Sequence, residues 1–188
     1  MYSSIFSLVA TLFVVSLVSA TAIRTGVAHD STITYNARLC NGSRPCASIA
    51  KGLQRTLGTF DMDGSQDRVL LRFQLPVDSR TIVSCTLNVP VPISAPVGHY
   101  TLSISATDNN WAEDTVSGIS KSRNGTDVGS VVIFNSQQLP RSVLVTSACQ
   151  RFAENNTLSM FVTSDGKQVS FNSLESGSPD IFSLDVSY

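Results

Sequence analysis

Charge is scarce in this chain of 188 residues: acidic and basic side chains make up 14%, and the formal net charge is −1. Such a balance supplies no electrostatic drive toward nucleic acid or an anionic membrane, so neither is expected as a partner. Histidine is almost absent, with only His29 and His99, and Trp111 is the single tryptophan. Neither histidine has a serine or cysteine nucleophile motif around it, which argues against triad chemistry. The four cysteines show no two-residue spacing, so a structural zinc site is not expected. Past the first eighteen residues, no apolar run is long enough to span a bilayer.

The one long apolar run, Ile5 to Val18, ends in Val18-Ser19-Ala20-Thr21-Ala22. It is shorter than the ~20 apolar residues a span needs, and small residues offer cleavage after Ala20 or Ala22. Residues 1–22 are therefore read as a signal peptide, and residues 23–188 as one exported domain. About 166 residues can bury one substantial core.

In an exported chain four cysteines predict two disulfides, for which three connectivities exist. The favoured pairs are Cys40–Cys46, stapling a turn, and Cys85–Cys149, closing a much longer loop. Three sequons, beginning at Asn41, Asn124 and Asn155, fall in turn-like sequence, where a glycan acceptor has to be exposed.

Period-2 alternation recurs between turn signals. Strands are expected over Ser31 to Leu39, Val69 to Leu75, Ile82 to Val91 and His99 to Ala106. Shorter ones are expected over 131–134, 143–146, 158–162 and 169–171, and a last one over Phe182 to Tyr188. In the third, Val83, Cys85, Leu87, Val89 and Val91 are read as inward, with Pro90 and Pro92 marking a sheet edge. Tyr35, Tyr100 and Tyr188 are read as core residues with bonded hydroxyls. Ala47 to Phe60 reads as a long loop with one short strand, and a helical turn is expected between Ser147 and Asn155. Eight or nine strands make an all-β fold: an antiparallel β-sandwich, jelly-roll-like, with one short helical turn.

Three segments in fixed order carry a resemblance. They are Arg68-Val69-Leu70-Leu71-Arg72-Phe73-Gln74-Leu75, then Asn110-Trp111-Ala112-Glu113-Asp114-Thr115-Val116, then Phe171-Asn172-Ser173-Leu174-Glu175. Together they resemble the secreted β-sandwich modules called DNRLRE domains, a group that includes the family 96 carbohydrate-binding modules. The resemblance spans roughly Asp30 to Tyr188. It departs at Gln74, where Asp would be expected, and at Ser117-Gly118, where Thr-Trp would follow Val116. It implies that the acidic group at Asp108, Asn109, Asn110, Glu113 and Asp114 meets Glu175 in space.

For sugar binding, Trp111 offers an indole face to a pyranose, with Asn110, Glu113, Arg68, Arg72 and Glu175 as polar neighbours. The alternative for Trp111 is packing under a sheet edge. Arg68 and Arg72 share one face of a strand about 13 Å apart, a spacing open to an acidic polysaccharide. The competing assignment pairs them with Asp61, Asp63, Asp67 or Glu175. Asp61, Asp63 and Asp67, in an acidic stretch with Gly64, form a candidate calcium loop; a solvated turn is the simpler reading. No other cofactor is suggested.

The leading expectation is thus a stand-alone, non-catalytic module that binds polysaccharide or cell-wall glycan outside the cell. A structural or adhesive wall protein is the second reading. A small polysaccharide-cleaving enzyme using Glu113, Asp114 or Glu175 is the third.

Overall fold

A computed structural model describes residues 21–35, 39–40, 44–62, 65–134 and 141–188. Residues 1–20 of the expected leader and the Asn41 sequon lie outside them. The strands are β1 (Ala22–Tyr35), β2 (Leu39–Cys40), β3 (Arg44–Pro45), β4 (Thr56–Met62), β5 (Ser65–Gln74) and β6 (Ser84–Asn88). They continue with β7 (His99–Thr107), β8 (Thr126–Phe134), β9 (Ser142–Leu144), β10 (Thr157–Ser164), β11 (Val169–Asn172) and β12 (Ser183–Ser187). One short helix, α1 (Thr146–Arg151), falls where the helical turn was expected.

Among the described residues every pairing between strands is antiparallel, and β1 belongs to both layers of the sandwich. Its first part, Ala22 to Gly26, pairs with β12, which continues to β6 and β9. After an irregularity between Val27 and His29 it pairs with β5, which continues through β10 and β7 to β8. Cys85 and Leu87 from one layer and Val69, Leu71, Phe73, Ile104 and Met160 from the other form a single dry core. The alternation of β5 explains its inner face, since residues two apart point the same way.

Twelve strands among the described residues exceed the eight or nine expected, because two-residue ladders such as β2–β3 leave no periodicity. The first strand begins at Ala22, nine residues before Ser31. Its early part is held by backbone pairing to β12 and carries no apolar alternation to read. Val83 and Val91 are corrected from core to surface, at 66% and 36% exposed, because the β6 ladder ends short of both. Tyr35 and Tyr100 are buried as expected, with the Tyr35 hydroxyl donating to the Ser122 carbonyl. The Tyr100 hydroxyl has no hydrogen-bond partner, and Tyr188 is only half-buried at the end of its strand.

Cys85 and Cys149 are bonded, tying β6 to α1. Cys46 is disulfide-bonded too. The side chain of Cys40 lies outside the described residues.

A second apolar cluster lies apart from the main core: Ile33, Tyr35, Leu70, Trp111, Val116 and Phe161. Leu70 sits between Arg68 and Arg72 on the outer face of β5, the face that alternation assigns to solvent. The segment between β7 and β8 covers it, and this cover builds the site.

Candidate functional site

Two glycines let the covering segment lie close to its neighbours, the turn before β4 at Gly52 and β1 at Gly118. A Cβ on Gly52 would stand 1.9 Å from the Glu113 carbonyl oxygen, and one on Gly118 would stand 2.0 Å from that of Thr34. Lys121, 4% exposed, donates to the Asp108 carbonyl and pairs with the Asp108 carboxylate at 2.8 Å, closing the segment on itself.

Trp111 is buried at 9% exposure, and its indole Nε1 donates to Ser159 Oγ on β10 at 2.9 Å. The Arg72 guanidinium lies 4.2 Å from the centre of the ring, in cation–π range. Arg72 Nη2 also donates to the carbonyls of Asn109 and Trp111. The ring is thus packing beneath a guanidinium, the role weighed against a stacking platform in the sequence. Arg68 lies over Tyr35 and Phe161 and donates Nη1 to the Arg123 carbonyl. Neither arginine has an ion pair among the described residues. Burial lowers the pKa of both, but each is stabilised by carbonyl dipoles and ring faces.

Beside Trp111 opens a polar cleft of about 350 Å³, lined by His29, Arg72, Gln74, Asn109, Asn155 and Thr157 among others. Two buried atoms of its lining residues lack hydrogen-bond partners: the donor Arg72 Nε and the acceptor Asn109 Oδ1. The Asn109 amide nitrogen donates to the Thr157 carbonyl, which orients that side chain. Asn155 and Asn156, at φ 49° and 59°, form the two-residue turn before β10, closed by reciprocal bonds between Glu154 and Thr157. Both central residues having positive φ is the type I′ geometry of tight hairpins.

On the other side of His29 lies an acidic centre. His29 Nδ1 is 3.1 Å from Glu113 Oε2, and the Asp30 backbone N–H donates to Glu113 Oε1 at 2.8 Å. Leu174 N–H donates to Asp30 Oδ2 at 2.8 Å. One ligand oxygen from each of Asp30, Glu113 and Glu175 lies within 4.8 Å of the others. Burial, reinforced by Glu175 and Glu113 and opposed by the Leu174 N–H, pushes Asp30 up to about 7.

The profile of carbohydrate-binding module family 96 matches residues 48–185, most of the chain. The chain belongs to that family. The module is also similar to a protein named "Uncharacterized secreted protein" from Arthroderma benhamiae. The two are 29% identical over 188 residues, covering 88% of this chain and 93% of that protein.

Of the residues singled out from sequence, the module brings Glu113 and Glu175 together, and sets Arg72 on Trp111. Asn110 is exposed at the rim, its N–H held by Asp108 Oδ1. Asp61 and Asp67 do not converge. Asp61 pairs with Gln66 and Phe60 with Asp67 across the β4–β5 hairpin, so the two carboxylates leave opposite faces of the ribbon. Asp63 lies outside the described residues. Sequence reasoning passed over Asp30, His29 and Gln74 as site residues, and named Asn109 only within the acidic group expected to meet Glu175. The one available signal was an Asp directly before the run Ser31-Thr32-Ile33-Thr34-Tyr35, where the expected strand opens.

Proposed function

We propose that this module binds polysaccharide outside the cell, without catalysis, through the polar cleft beside Trp111. The observation that carries the reading is the polar cleft of about 350 Å³ whose lining side chains, Arg72, Asn109 and Asn155 among them, can both donate and accept. Sugar hydroxyls donate and accept at once, and a cleft lined by amides and a guanidinium offers partners for both roles. Gln74, His29 and Thr157 add further donors and acceptors around it. Trp111 serves the cleft from below, as the floor under Arg72. Arg68, farther along the same face of β5, and Asn110 at the rim extend the path of a longer chain, and the two guanidiniums favour acidic sugars.

Family membership supports carbohydrate as the ligand class. The leader pattern and a relative named as secreted support export. Thr21 and Tyr188 exchange backbone hydrogen bonds, and Ala22 pairs with Ser187; cleavage after Ala20 preserves both contacts. What supports a non-catalytic role is the state of the acids: Asp30 and Glu113 are engaged by backbone N–H groups, and Asp30 is buried. Glycosidase carboxylates instead flank an open substrate path.

Retention on a panel of insoluble polysaccharides, with gel-affinity electrophoresis for soluble acidic ones, tests the reading. At least one polymer should retain the parent, and Asn109→Ala and Gln74→Ala should weaken retention about tenfold while Tm stays near the parent value. Retention by no polymer, or parent-like retention of both variants, defeats it.

A further inference from the structure

We propose that Asp30, Glu113 and Glu175 form a calcium site that fastens the segment between β7 and β8 and the turn at Leu174–Ser176 onto β1. It is separate from the sugar cleft and does not depend on it.

Three carboxylates converge where water is largely excluded. Asp30 is 0% exposed, and Glu113 and Glu175 are half-buried. Their hydrogen bonds leave one face unserved: Asp30 Oδ1 and Glu175 Oε2 are both buried without a donor. A ligand oxygen of Asp30 lies within 4.8 Å of one from Glu113 and one from Glu175, so the buried Asp30 carboxylate faces into the cluster. Among the described residues, no lysine or arginine is ion-paired with any of the three acids. Among the described residues the basic neighbours are His29, half exposed and 3.1 Å from Glu113, and Arg72, which acts on Glu113 through space without an ion pair.

Burying carboxylates costs several kcal/mol per charge unless something positive compensates them. The arrangement asks for one added positive charge at its centre. Oxygen is the only donor type the three residues offer, which selects a hard cation over zinc or copper. Calcium binds oxygens at about 2.3–2.6 Å, so ligands on opposite sides of one ion lie up to about 5 Å apart. The observed span, within 4.8 Å, fits that ion. Each acid comes from a distant part of the chain: β1, the β7–β8 segment and the turn after β11. A shared ion would therefore fasten three segments that no disulfide among the described residues ties.

Titration calorimetry with calcium chloride on chelator-stripped protein, with thermal unfolding in parallel, tests the site. One ion per chain should bind, and at about a hundredfold excess over Kd the Tm should rise by roughly 5–10 °C. Terbium emission sensitised through Trp111, the sole tryptophan, should report the same occupancy. Asp30→Asn and Glu175→Gln should each abolish the heat and the Tm shift, whereas Asp61→Asn in the hairpin should leave both intact. Two variants guard against one of them failing to fold. No heat and equal Tm in calcium and chelator would overturn the proposal. So would a response that survives both site variants, or an equal response to magnesium, which demands tighter octahedral geometry.

Discussion

The guanidinium of Arg72 stands over the ring of Trp111, 4.2 Å from its centre, and Nη2 of the same arginine donates to the Trp111 carbonyl. The tryptophan thereby holds the arginine twice, by ring and by backbone. Trp111→Ala should cost about 3–5 kcal/mol, as truncation of buried aromatics does, and should weaken sugar retention through the displaced arginine. Trp111→Phe keeps a ring but strands the Ser159 hydroxyl, costing about 1 kcal/mol. Urea unfolding of both variants checks the ranking.

Gly52 gives a steric test of how the acidic centre is assembled. Any side chain there meets the Glu113 carbonyl at 1.9 Å, so Gly52→Ala must part the β7–β8 segment from the turn that carries Gly52. A loss of about 1–3 kcal/mol is expected, together with a weaker calcium response. Gly26→Ala, whose Cβ would meet nothing within 4 Å, is the comparison that should leave the calcium response unchanged.

The Cys85–Cys149 bond spans 64 residues of sequence. Loop closure of that length restrains the unfolded chain by about 4 kcal/mol. Cys85→Ser with Cys149→Ser should lower stability by up to that amount, measured by unfolding in guanidinium, while sugar retention at low temperature persists.

Asp30 makes stability depend on pH in a defined direction. Its folded value, pushed up to about 7 by burial first and then by Glu175 and Glu113, exceeds the unfolded value of about 3.9. Between those values the folded chain holds a proton the unfolded chain has lost. The Asp30 contribution is therefore complete below about pH 4 and is lost as pH rises through about 7, up to an order of 4 kcal/mol. In chelator, unfolding midpoints from pH 4 to 8 should fall more steeply for the parent than for Asp30→Asn. A parent profile parallel to that of the variant would refute it.

Asn155 lies exposed at a hairpin tip and also lines the sugar cleft. If its sequon is occupied, the glycan competes with polysaccharide for that space. Protein from a glycosylating host should then bind more weakly than Asn155→Gln from the same host, and retention assays on matched preparations would show it.

The strands of the core were legible because burial on one face writes a two-residue period into the sequence. Val69, Leu71 and Phe73 declare their layer, and so do Cys85 and Leu87. Where pairing is carried by backbone alone, as from Ala22 to Gly26, no period exists and the strand went unseen. The acidic hairpin misled for a related reason: closeness in sequence suggested one ligand set, while the pleat sends Asp61 and Asp67 to opposite faces.

By itself, then, the order of residues determined a two-layered β fold and most of its inner faces, since local alternation needs no knowledge of distant neighbours. It narrowed the four cysteines to three pairings, from which the structure shows Cys85–Cys149. Only the tertiary structure decided that Trp111 is covered by Arg72 and that Asp30 joins Glu113 and Glu175. Those meetings join residues far apart in the chain, and which side chains face one another across such gaps depends on how the β7–β8 segment lies over the sheet.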